Sequence, residues 1–382
     1  MRRTAFPLAL LASLLFVSHA LAASIVFTVG ETAGLRRFGY PVTASLEMPQ
    51  GAMRDVATTR LFDAKGKEAP AQFTAMAKWP DGSVRGLDVD FTSSLGPMET
   101  ETYRVEPAGG AARAAGRGLG VTETADEIIV ASSAISHKIR RDGKPLLTSI
   151  AHGKTEFIAA GGITTTLTPG RAEVLKRGPF NVTLRLGAVT LEYVSSKSWV
   201  KITQRATMGK SVEVGRDSVE PSPSDNAFSR KKEARRSLAP PQLAVDAHFA
   251  LPEPPLLWDF GVESWLYGCF RKSNETVALW QTTDGWRAMT GAGEPSSVYA
   301  SGKRWEGWGH LADKQRVIAF GMADFGAGGE PAFRLGADGR LRASARRKEL
   351  TVYFHAVGQP VQVTAATSPP SMLAPLVVEV KK

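Results

Sequence analysis

One cysteine in 382 residues excludes a fold stapled by disulfides. Cysteine and histidine never fall at zinc-ligand spacing, and no Gly-x-Ser-x-Gly run supplies a hydrolase nucleophile elbow. Beyond the N-terminus, no apolar stretch reaches the roughly 20 residues that a membrane-crossing helix needs. Amphipathic runs longer than about three turns with caps at both ends are missing as well. The 37 glycines and 23 prolines follow no collagen-like period. What is present is a 43% hydrophobic, 22% charged chain with a formal charge of +10. That much apolar content offsets the entropy of ordering and excludes disorder throughout.

Met1-Arg2-Arg3 is a cationic start, Ala5 to Val17 is apolar, and Ala20-Leu21-Ala22 offers small residues for cleavage. The pattern predicts a secretory signal peptide over 1–22, and hence a periplasmic or extracellular protein. About 360 residues then remain, enough for two or three domains. Loss of Arg2 and Arg3 lowers the charge to +8, and four of those net charges lie in the run 230–236. The glycine-rich stretch 108–119 reads as a linker, and the polar, proline-containing stretch 209–242 as a loop or connection. Three units are expected: 23–107, 120–208 and 243–382.

Hydrophobic residues recur with period two. Val42, Ala44 and Leu46 alternate with polar neighbours, as do Leu87, Val89 and Phe91, and later Val182, Leu184 and Leu186. Such alternation describes half-buried antiparallel strands. Asp-Gly pairs at 81–82, 142–143, 284–285 and 338–339 suit tight hairpins. The expected class is all-β, mostly antiparallel. Asp88 and Asp90 share one strand face. That pair reads as a solvated surface, since a calcium site needs more oxygen ligands than two carboxylates.

One run is more specific. Gly39-Tyr40-Pro41-Val42 is followed by Leu61-Phe62-Asp63-Ala64-Lys65-Gly66, then Ala69-Pro70-Ala71-Gln72 and Trp79-Pro80-Asp81-Gly82-Ser83-Val84. It resembles the N-terminal RIFT-barrel domain of the exo-rhamnogalacturonan lyase (PcRGLX/YetA-like) family. Weaker similarity continues through Gly178-Pro179-Phe180 into the β-sandwich portion of such proteins. The resemblance implies a RIFT-type β-barrel followed by β-sandwich domains, and a carbohydrate setting. Family lyases carry their chemistry with a large α/α toroid, for which this chain has neither the length nor the helical periodicity. No catalytic residue is carried over.

Six of the eight tryptophans, at 258, 265, 280, 286, 305 and 308, fall within 51 residues, where uniform spacing would place about one. Such rings either fill a β core or line a sugar-binding groove, with Tyr267, Tyr299, Glu263 and Arg271 nearby. The stretch Trp305-Glu306-Gly307-Trp308-Gly309-His310 offers stacking faces and an acid–base pair of Glu306 with His310. Its alternative reading is a bend whose tryptophans cap the core while His310 satisfies a carbonyl. The candidate ligand-binding residues are Trp265, Arg304, Trp305, Glu306, Trp308 and His310. Lone Cys269 reads as a small buried hydrophobe. No metal or cofactor is expected, and no nucleic acid. The expected partner is a polysaccharide or oligosaccharide, with acidic, pectin-like ones favoured by the charge. Two rival readings are a reduced polysaccharide lyase or related enzyme, and a structural protein of the cell envelope.

Overall fold

The computed structural model describes residues 24–107, 118–206, 241–254, 256–263, 266–357 and 370–381. The leader at 1–22, most of the linker at 108–119, nearly all of 209–242 and Trp265 lie outside the described residues.

Two antiparallel sheets build the N-terminal lobe. In the first, Ile25–Gly30 lies between Val377–Val380 and Thr100–Pro107, and Thr59–Asp63 and Glu68–Ala69 follow. The second is a three-stranded sheet of Tyr40–Glu47, Val84–Ser93 and Ala71–Lys78. The expected alternation is realised: Val42, Ala44, Leu46, Leu87, Val89 and Phe91 are all buried and share one core with Phe27, Leu61, Tyr103 and Val105 of the first sheet. Phe91 packs edge-on against Tyr103 with ring centroids 4.8 Å apart.

A twelve-stranded and a nine-stranded sheet make up the rest and enclose a single continuous apolar cluster. The stretches 120–208 and 243–382, expected as separate units, contribute to both sheets. Ile158–Thr165 pairs with Gln242–Phe249 in the larger sheet, and Trp199–Arg205 pairs with Glu349–Val357 in the smaller. The chain ends back on the barrel. Met372, from the short helix Pro370–Leu373, and Leu376 enter the barrel core, and Val377–Val380 forms the outer strand beside Ile25–Gly30.

All four Asp-Gly pairs join antiparallel partners, and their glycines have positive φ: 82° at Gly82, 68° at Gly143, 141° at Gly285 and 81° at Gly339. At Gly285 the neighbouring Gly302 carbonyl leaves no room for a Cβ, so both shape and dihedral require glycine there.

Asp88 and Asp90 are not a solvated surface. Asp90 is 2% exposed and accepts hydrogen bonds from Thr43 Oγ1 (2.6 Å) and Asn181 Nδ2 (3.1 Å). Lys176, from the strand Ala172–Lys176 of the sandwich, reaches both carboxylates. Beside them, Gln72 Oε1 accepts from the backbone N–H groups of Phe180 and Asn181 at 3.0 Å each, and its Nε2 donates to the Asn181 carbonyl at 3.0 Å. The barrel therefore docks on the sandwich through a buried polar seam, because each inward polar group finds a partner across it.

Candidate functional site

The strand Trp305–Ala312 lies in the nine-stranded sheet between Leu257–Val262 and Val317–Met322. The stretch expected as a bend is a strand whose register shifts between Trp305 and Gly309, where Gly307 has a φ of 76°. Trp305 points inward with Gly307 and Gly309, and its ring meets Phe325, Phe333 and Phe260 of the core. Glu306, Trp308 and His310 occupy the opposite face. Trp308 Nε1 donates to Glu306 Oε2 at 2.9 Å, and its ring covers Gly261 so closely that no Cβ fits there. Exposed Arg304 approaches Glu306 only to 3.8 Å, a surface contact of little energetic weight.

Glu306 is not the partner of His310. His310 Nδ1 lies 2.8 Å from Asp259 Oδ1, on the adjacent strand and directly opposite in register. His310 is 3% exposed, and its Nε2 has no hydrogen-bond partner among the described residues. Across the same face the register runs from Asp259 through His310 and Ala319 to His355 and Trp199. Burial pushes the His355 imidazole down to about 4, helped by the charge of Lys197 and by His310. Lys197 itself sits over the rings of Tyr40 and Trp199. Among the described residues, the predicted ones do not come together in one site. Trp305 belongs to the core, His310 is sealed, and Arg304, Glu306 and Trp308 make a surface strip.

A more open arrangement lies where the two sheets of the sandwich end side by side. Leu266–Cys269 is the edge strand of the smaller sheet, and Ser297–Gly302 that of the larger. Tyr299 Oη donates to the Tyr267 carbonyl at 3.3 Å and ties the two edges together. Between them is a cleft of about 570 Å³, within the range of small-molecule sites. Its aromatic wall is layered. Trp258 is buried, and its ring lies 5.6 Å from Tyr299 in a T-shaped contact and 6.3 Å from Phe270. Tyr267 and Tyr299 stand outside it, 66% and 50% exposed. Arg271 and Lys272 line the mouth, and the Arg271 backbone N–H is held by Glu275 Oε2 at 2.6 Å.

Cys269 also lines this cleft and is exposed, which corrects the expectation of a buried hydrophobe. An edge strand has no neighbour to cover its outward side chains. Glu263, just after Leu257–Val262, is held by three donors. It accepts from Trp286 Nε1 (2.9 Å) and from the backbone N–H groups of Lys303 and Arg304 (2.6 and 3.0 Å). The Trp286 hydrogen bond leads the effects that hold its carboxyl down at about 2. Among the described residues, the tryptophan cluster therefore resolves into buried Trp258 and Trp286 and half-buried Trp280, Trp305 and Trp308, with Tyr267 and Tyr299 as exposed aromatics beside them. Among the described residues, no group of three or more His, Cys, Asp or Glu side chains has metal-binding geometry, and no helix is long and apolar enough to cross a membrane.

Comparison with curated proteins gives no match. A family model described as the PcRGLX-like N-terminal RIFT barrel domain matches residues 34–106, about a fifth of the chain. The match spans both sheets of the N-terminal lobe except the paired strands Ile25–Gly30 and Val377–Val380 of the first. The N-terminal lobe of this all-β protein is thus similar to the first domain of the PcRGLX-like family.

Proposed function

We propose that this protein is exported and binds an oligosaccharide segment of a polysaccharide in the cleft between Leu266–Cys269 and Ser297–Gly302, without transforming it. The observation that carries this reading is the pair of exposed tyrosines backed by buried Trp258. Rigid aromatic faces beside a concave site are suited to the apolar faces of sugar rings, and they lose little entropy on contact. Arg271 and Lys272 at the mouth offer charge-assisted hydrogen bonds to a sugar carboxylate, which favours acidic, pectin-like chains. The carbohydrate-related family matched by the barrel supports the same setting. Titration calorimetry with uronate and neutral oligosaccharides tests the reading; saturable heats that a Tyr267→Ala/Tyr299→Ala variant loses are expected.

One observation favours an enzymatic reading. In the Asp259–His310 pair a carboxylate orients an imidazole whose Nε2 is unpartnered among the described residues, the arrangement of a general base. Burial of that nitrogen favours a structural role instead. Incubation with polygalacturonate and with mixed pectic chains, followed at the unsaturated-uronate absorbance band, decides between the two. A steady rise that His310→Gln abolishes supports catalysis, and a flat trace supports binding alone.

A further inference from the structure

The outer face of the twelve-stranded sheet carries a second concavity of about 520 Å³, which shares Glu275 and Thr276 with the aromatic cleft. Its floor is a row across three neighbouring strands in which Asp246 lies opposite Arg342 and Arg342 opposite Arg334. One step along, His248 lies opposite Arg340. Period two sends these side chains outward, while their neighbours Val245, Ala247, Leu341, Ala343, Phe333 and Leu335 enter the core.

Every arginine in the groove has a carboxylate partner. Arg342 Nη1 lies 3.0 Å from both oxygens of Asp246. Arg334 grips Glu294 with Nη1 and Nη2 at 2.8 and 3.0 Å and donates to the Gly293 carbonyl at 2.8 Å. Arg340 Nε lies 3.4 Å from Asp338 Oδ2. His248 braces the walls, with Nδ1 2.9 Å from the Ala160 carbonyl and Nε2 3.2 Å from that of Asp338.

We propose that this groove is a second saccharide subsite, continuous with the cleft, and that it takes an uncharged polyhydroxylated ring; it rests on the reading of the cleft as a saccharide site. Charge decides against an anion. Arg334, Arg340 and Arg342 face Asp246, Asp338 and Glu275 in the lining, with Glu294 beside them, so no positive charge is in excess. An anionic ligand has to compete with carboxylates already in place. A sugar with adjacent hydroxyls does not, because each arginine–carboxylate pair sets a donor next to an acceptor. Arg342 commits only Nη1 to Asp246, which leaves Nε–H and Nη2–H for a ligand oxygen. Among the described residues no Phe, Tyr or Trp lines the groove, so the ring is held through its hydroxyls. The braces at His248 and Arg334 fix the walls in advance and reduce the entropy lost on binding.

The test measures calorimetric Kd values for the full chain with linkage-matched neutral and uronate tetrasaccharides of the galacto, gluco and manno series. Asp246→Ala/Arg342→Ala removes an exposed pair together and leaves no orphaned charge. It is expected to weaken the neutral ligand at least tenfold and the uronate ligand less than twofold, while Tyr267→Ala/Tyr299→Ala weakens both. If the groove variant leaves both ligands unchanged, or weakens the uronate as much as the neutral one, the subsite is refuted while the cleft stands. If only the groove variant weakens binding, the cleft reading fails and the groove remains. Absence of binding to every tetrasaccharide by the unaltered chain overturns both.

Discussion

Lys176 Nζ lies 2.7 Å from Asp88 Oδ2 and 3.3 Å from Asp90 Oδ2, and this buried ion triad joins the sandwich to the barrel. Burial alone lowers an ammonium pKa; here the carboxylates of Asp90 and Asp88 outweigh it and hold Lys176 above its ordinary value. Removing one member leaves charge stranded away from water. Lys176→Met is therefore expected to destabilise the protein by about 3–5 kcal/mol, read as a lower midpoint in urea unfolding. Asp90→Asn added to Lys176→Met removes the more deeply buried of the two stranded carboxylates and is expected to restore part of the loss. An unchanged midpoint in Lys176→Met contradicts the account of the seam.

Buried histidines make the fold sensitive to acid. His355, held near 4 in the fold, has an ordinary value near 6.5. Between those values the unfolded chain binds more protons, so stability falls as pH drops from about 6.5 toward 4. The shift corresponds to at most about 3 kcal/mol. His137, pushed down to about 3 by burial in the sandwich core, acts in the same direction. His355→Gln is expected to flatten the loss between pH 6.5 and 4.5 without removing it, as measured by urea midpoints at several pH values. An equal slope in both proteins contradicts the assignment.

The Asp259–His310 pair gives a sharper separation of roles. Asp259→Leu leaves the buried His310 Nδ1 without its acceptor and is expected to cost about 1–3 kcal/mol of stability. Because the pair is sealed from the cleft, oligosaccharide affinity is expected to stay within about twofold. Thermal melting and calorimetry on the same variant check both. Lost affinity at unchanged stability places His310 in contact with ligand instead.

The parts legible in the sequence are those set by local geometry. Alternation identified the buried residues of Tyr40–Glu47 and Asn181–Leu186, and Asp-Gly pairs marked four hairpins, because side-chain period and turn dihedrals are properties of short segments. The same rule, applied to Trp305 through His310, separates Trp305 from Trp308 and puts Glu306 on the face of His310. Alternation does not say what covers a face. Asp88 and Asp90 read as solvated because Lys176 is 86 residues from Asp90 in sequence, and Asp259 is 51 residues from His310. The tryptophans drew attention by size, yet among the described residues of that segment the most exposed rings are Tyr267 and Tyr299, on edge strands whose position depends on the order of strands in both sheets. Gln72, part of the family-like run, has its reason in the Phe180–Asn181 backbone more than 100 residues away.

Saccharide binding in the tyrosine-walled cleft is the proposed function. Tyr267 and Tyr299 are exposed, so their removal leaves the core intact, and each aromatic contact is worth about 0.5–1.5 kcal/mol. Titration calorimetry of uronate oligosaccharides into the unaltered chain and into Tyr267→Ala/Tyr299→Ala, both shown to be folded by their melting profiles, tests it most directly. Saturable binding that weakens roughly tenfold or more in the variant is expected, at about 1.4 kcal/mol per tenfold. Saturable binding that the variant retains undiminished, or no binding by the unaltered chain, contradicts it.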